Sequence, residues 1–144
     1  MQDSYNLQRF LDAQEDVFDD VCSELRAGRK TGHWMWFVFP QIQGLGKSET
    51  ARRFAISSLA EAKAYLAHPI LGPRLGECAA LVTATKSTSA EKIFGEIDSL
   101  KLFSSMTLFA KATTENKIFL DVLKKYFGGV QDEVTLQMLR KSPA

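Results

Sequence analysis

The chain has 144 residues, 45% hydrophobic and 24% charged, which suits a single domain with its own core and excludes a disordered or fibrous protein. With 18 lysines and arginines against 17 acids the net charge is +1, so no global field draws the chain to nucleic acid or to an anionic membrane. No apolar run approaches the roughly 18 residues needed to cross a bilayer, and the acidic start MQDSYNLQRFLDAQEDVFDD is unlike a secretion leader, so one cytoplasmic domain over residues 1–144 is expected.

From Asn6 to Ala27 the residues Phe10, Ala13, Val17, Val21 and Leu25 recur at helical spacing, and Gly28 supplies a left-handed stop. Trp34 to Phe39 is the one strand-like run, but no second run exists to pair with it, so a buried helical turn or extended segment is predicted. Ser48 caps a helix through Thr50, Ala51, Phe54 and Ala55. Ser58-Leu59-Ala60-Glu61 is a capping box ahead of a helix that Pro69 ends.

Gly72-Pro73 opens the next helix, with Leu75, Cys78, Ala79 and Val82 on its apolar side. Thr88-Ser89-Ala90-Glu91 begins a short turn closed by Gly95, and Asp98 is expected to cap SLKLFSSMTLFAKA. Glu115 to Phe127 forms an amphipathic helix ending at Gly128-Gly129, and a last helix follows Asp132. The pattern predicts an all-α domain of about seven or eight short helices, without repeats, linkers or a domain boundary.

Gly44-Leu45-Gly46-Lys47-Ser48 looks like part of a phosphate-binding P-loop. Such a loop needs a further glycine five residues before the Gly-Lys pair, where this chain has Gln41, preceded by Pro40 with no amide to donate. It also needs a parallel sheet and a later strand ending in an acid, neither of which the sequence offers. The glycines therefore read as tight turns, Ser48 as a cap and Lys47 as a surface charge. An anion site at the helix start, without P-loop catalysis, is the intermediate expectation.

The strings HWMWFVFPQIQGLGKS, AYLAHPILGPRL and FGEIDSLKLFSSMTLF, with YNLQRFLDAQ near the start and FGGVQDEVTLQML near the end, resemble a family of small bacterial proteins classed as a domain of unknown function, some labelled calpastatin-like. The resemblance spans almost the whole chain and implies a compact multihelical domain. It implies no reaction. A calpain inhibitor is typically a disordered chain, whereas this composition is globular.

Two clusters could carry chemistry. His33, Trp34, Trp36 and Gln41 combine indoles, which make an apolar wall with polar tips, with an imidazole able to serve as acid or base. The simpler role for the tryptophans is to anchor the core. Asp98, Lys101 and Ser105 fall along one helical face with Ser104 beside them, Lys101 as partner for an anion and Asp98 as acceptor or base. The simpler role there is capping, an intrahelical ion pair and packing; a Lys101-Ser105 nucleophilic dyad lacks an oxyanion hole.

His33, Asp98 and Lys101 are thus the catalytic candidates, and Trp34, Trp36, Gln41, Gly44, Gly46, Ser48, Ser104 and Ser105 the binding candidates. Cys22 and Cys78 are far apart in sequence, without histidine at ligand spacing, so no metal, disulfide framework or cofactor is expected. The leading expectation is a domain binding a small anionic or nucleotide-like molecule, with no nucleic-acid or membrane partner. The alternative is a non-catalytic interaction module, its exposed apolar patch built from Phe103, Phe109 or Phe127.

Overall fold

Long runs of core residues at helical spacing, punctuated by capping serines and glycines, produce an all-helical chain in the computed structural model, which describes residues 3–141. The helices are α1 (Gln8–Gln14), α2 (Phe18–Ala27), α3 (Met35–Val38), α4 (Glu49–Arg53), α5 (Leu59–Ala67), α6 (Leu71–Ala84), α7 (Ala90–Phe94), α8 (Glu96–Ala112), α9 (Lys117–Phe127) and α10 (Glu133–Lys141). Among the described residues there are ten helices rather than seven or eight. The periodic stretch from Asn6 to Ala27 breaks at Val17, whose φ of −120° leaves the helical region, so that Asp19 and Asp20 fall in the first turn of α2, where helix polarity favours acids. The apolar run around Trp36 closes into the short turn α3.

Local capping explains most boundaries. Ser48, Ser58 and Ser89 accept the amides of Ala51, Glu61 and Lys92. Gly28 and Gly128 take the left-handed conformation after α2 and α9. Asp98 does not cap α8: the helix begins two residues earlier, after Gly95, whose φ of +85° both ends α7 and starts α8. Asp98 therefore lies in the first turn with its carboxylate free for side-chain partners. Asp3 caps the start of α1, accepting the amides of Leu7 and Gln8, and these donations hold its carboxyl below its ordinary value.

α8 is the axis of the core. Residues 104 to 110 are all buried, and α8 packs against α5, α7, α9 and α10, so apart from the Ser105 hydroxyl this half of it is apolar or internally bonded around its circumference. α6 closes one side against α2, α5 and α9, while α1 lies on α3. Cys22 and Cys78 face this α2–α6 seam, both free and buried, and loss of hydration pushes both thiols up in pKa. No described helix is long and apolar enough to cross a membrane.

The segments between helices are fixed by polar staples. The Arg9 guanidinium donates to the carbonyls of Tyr5, Asn6, Arg53 and Ala55 and pairs with the buried Glu61 carboxylate at 2.9 Å. Glu61 in turn accepts from the amide and hydroxyl of Ser57. This clasp sets residues 53–56 beside residues 41–43, where Ile42 and Ile56 form an isolated parallel bridge: Ile56 donates to the Gln41 carbonyl at 2.8 Å and Gln43 to that of Ile56 at 2.8 Å.

Arg9→Met removes the charge but keeps the apolar stem, leaving Glu61 Oε2 and the carbonyls of Arg53 and Ala55 without their Arg9 donor. A loss of about 3 kcal/mol in a urea unfolding titration is expected, in the range for breaking one side of a buried pair.

Candidate functional site

The glycine turn ends on a packed approach. Gly44 has φ +105° and faces Met138 of α10, and a Cβ added at Gly46 would stand 2.4 Å from the Ala51 side chain. Glycine at position 46 therefore lets the turn fold down onto α4. That placement presents Gln41, Leu45 and Gly46 as one wall of an open cleft of about 430 Å³. Ile97, Leu100, Lys101, Phe103 and Ser104 of α8 form its floor, and Asp132 and Val134 at the start of α10 close the far side.

Lys101 is the cation of the cleft. Its Nζ sits 4.7 Å from the centre of the Trp36 ring and 3.4 Å from Oδ1 of Asp98. Asp98 is bound more closely by Lys30, whose Nζ lies 2.8 Å from Oδ2 and whose side chain is only 8% exposed. Lys30 also donates to the Gly32 carbonyl and rests 5.1 Å from the centre of the Trp34 ring. The result is a ladder of charges of alternating sign with a ring at each end: Trp34, Lys30, Asp98, Lys101, Trp36.

The base of the ladder is anchored by Glu24. Its Oε1 accepts the amides of Thr31 and Gly32 at 2.7 and 2.8 Å and the Trp34 indole N–H at 2.9 Å. Partial burial pushes the Glu24 carboxyl up, but the donated amides of Gly32 and Thr31 and the indole outweigh it, leaving the group below its ordinary value of 4.5. On the opposite wall, Asp132 Oδ2 accepts from Ser104 at 2.9 Å and Thr135 at 2.6 Å, and Oδ1 from the Val134 amide at 3.3 Å. The Asp132 amide donates to Thr107.

Of the residues singled out in the sequence, Gln41, Gly46, Lys101 and Ser104 line the cleft together, and Trp36 and Asp98 join it through Lys101. The others lie elsewhere. Trp34 is buried in the core against Phe39 and Phe94, and His33 is exposed on the loop before it. Gly44 and Ser48 are exposed, and the Ser48 hydroxyl is spent on capping the five-residue α4. Ser105 is fully enclosed, its Oγ without a hydrogen-bond partner among the described residues. Lys101 and Ser105 consequently share no hydrogen bond, and no dyad forms.

Sequence reading missed Lys30, Glu24 and the cleft role of Asp132. It also missed a legible signal: Ile97, Leu100, Lys101 and Ser104 recur at helical spacing, so the floor of the cleft is one mixed stripe of α8. The patch expected from Phe103, Phe109 or Phe127 takes another form. Phe109 is fully buried, Phe103 and Phe127 are half-buried and stacked with ring centres 4.7 Å apart, and the exposed apolar residues that line the cleft are Ile97 (71%), Leu100 (60%) and Val134 (48%). Among the described residues no group of His, Cys, Asp and Glu could hold a metal ion.

An all-helical domain with a mixed polar and apolar cleft over its central helix is the class that fold and geometry define. The chain belongs to a family described as a protein of unknown function (DUF1810), whose model matches residues 4–139. It is similar to the conserved hypothetical protein Rv1873 from Mycobacterium tuberculosis, known from a crystal structure: 56% identity over 96% of this chain and 99% of that one, with a TM-score of 0.94. No curated protein matches it.

Because the folded Glu24 carboxyl lies below the ordinary value, its contribution to stability is fully present above pH 4.5 and is lost as the pH falls through the lower folded value. Glu24→Gln should cost about 1–2 kcal/mol at neutral pH. It should also flatten the decline of stability below pH 4.5, measured by urea unfolding across an acid series.

Proposed function

We propose that the cleft over α8 binds a small molecule carrying an anionic group, with Lys101 as the charge partner and Leu45, Leu100 and Phe103 against its apolar part. The observation that carries this reading is the position of Lys101: a cation on the floor of an open cleft, held by a ring and by an acid already neutralised by Lys30. Gln41 and Ser104 add polar groups that orient a ligand, and the cleft volume of about 430 Å³ lies in the range of small-molecule sites. The anion expected at the start of α4 has less support, since that helix is short and its cap is already satisfied by Ser48.

A second reading is favoured by the exposed aliphatic rim. Ile97, Leu100 and Val134 are apolar side chains turned to solvent around one groove, which also suits a protein interaction module. The two readings differ in what Lys101 does. A small anion needs its charge; an apolar partner needs only the rim.

The test is a thermal-shift panel of nucleotides, sugar phosphates, carboxylates and amino acids on the full chain. A compound at one hundred times its dissociation constant adds about 2.7 kcal/mol of stability. The shift should vanish in Lys101→Ala and survive in His33→Ala, whose side chain lies outside the cleft. No shift with any compound, together with self-association or partner capture that Leu100→Asp abolishes, would favour the interaction module.

A further inference from the structure

The charges around the cleft narrow the ligand further, on the reading that it binds a small molecule. Among the residues that line the cleft the ionisable ones are Lys101 and Asp132, one cation against one anion, while Lys30 and Asp98 pair behind Lys101. They are not mixed at random. Asp98 is the nearer partner of Lys30, at 2.8 Å against 3.4 Å for Lys101, so Lys101 can turn into the cleft while Asp98 keeps a counter-ion. Asp132 accepts three hydrogen bonds, and a carboxylate has about four acceptor positions, so one remains for a donor in the cleft.

The spacing of the two charges is fixed by α8. Ser104, which holds Asp132, stands three residues after Lys101, and such neighbours have Cβ atoms roughly 5–6 Å apart on one helix face. A positive and a negative group thus flank the same turn of apolar floor, between Leu100 and Phe103. A phosphate ester or nucleotide reaching Lys101 would bring its further negative charge against Asp132. A neutral molecule with separated charges meets both walls favourably.

We infer that the occupant is a small zwitterion with an apolar body, an amino acid with an aliphatic or aromatic side chain being the simplest, whose carboxylate meets Lys101 and whose ammonium meets Asp132. Isothermal titration of the full chain with norleucine, hexanoate, hexylamine and hexyl phosphate separates the contributions, because the apolar tails are of equal length in the first two and one methylene longer in the last two, which favours the competitors. Norleucine should bind at least about tenfold tighter than each of the others. Asp132→Asn, which keeps an oxygen to cap α10, should erase its advantage over hexanoate; Lys101→Met should erase its advantage over hexylamine. Hexanoate or hexyl phosphate binding as tightly as norleucine to the wild-type chain would overturn the zwitterion and leave the ligand cleft standing. Binding by none of the four, with no shift in the wider panel, would remove both. Because the wild-type ranking decides the matter alone, a misfolded Asp132→Asn does not rescue the idea.

Discussion

The wall of the cleft that carries Gln41 traces back to the guanidinium of Arg9. A planar fork with five N–H donors can tie several chain segments at once, and here it joins residues 5–6, the carbonyls of Arg53 and Ala55, and the buried Glu61. Fixing residues 53–55 fixes Ile56, whose amide and carbonyl hold Gln41 and Gln43. The glycine turn that follows starts from this fixed point and packs down on Ala51. In a chain with no strand among its described residues, this isolated bridge does the work a sheet edge would do elsewhere, and it persists because the clasp removes the freedom of one partner.

How much of this could be read from the residues depends on the distance over which each effect acts. Ser48, Ser58, Gly28 and Gly128 mark helix ends correctly because a cap acts within three or four residues. The failures are cases where a distant partner decides. Asp98 carries the signature of an N-cap, but Gly95 can take a positive φ and starts the helix earlier, releasing Asp98 to Lys30, 68 residues away in the chain. The apolar period from Asn6 to Ala27 is unbroken, yet the chain turns at Val17, leaving the buried Gln14 side chain to donate to the Phe37 carbonyl and the Tyr65 hydroxyl. Periodicity reports which faces are apolar, not whether one straight helix carries them.

The site was partly legible for the same reason. Lys101 and Ser104 share a face of α8, a relation that helical spacing contains, whereas Gln41 and Asp132 reach that face only through tertiary packing. Glu24 left no signal at all. An acid on an exposed-looking helix face gives no sign that it will accept two amides and an indole from a loop that begins seven residues later. The likeness of Gly44-Leu45-Gly46-Lys47-Ser48 to a P-loop also has a physical origin: glycines before a capped helix are what any tight turn into a helix requires, and a phosphate cradle is one use of that geometry among several.

The two enclosed thiols at the α2–α6 seam give the protein an internal clock. Cys78 has no exposed surface and burial suppresses its thiolate, so a thiol reagent cannot reach or react with it while α2 and α6 remain packed. The rate at which Cys78 becomes labelled therefore reports the opening of the packing around α6, without any probe being introduced into the chain.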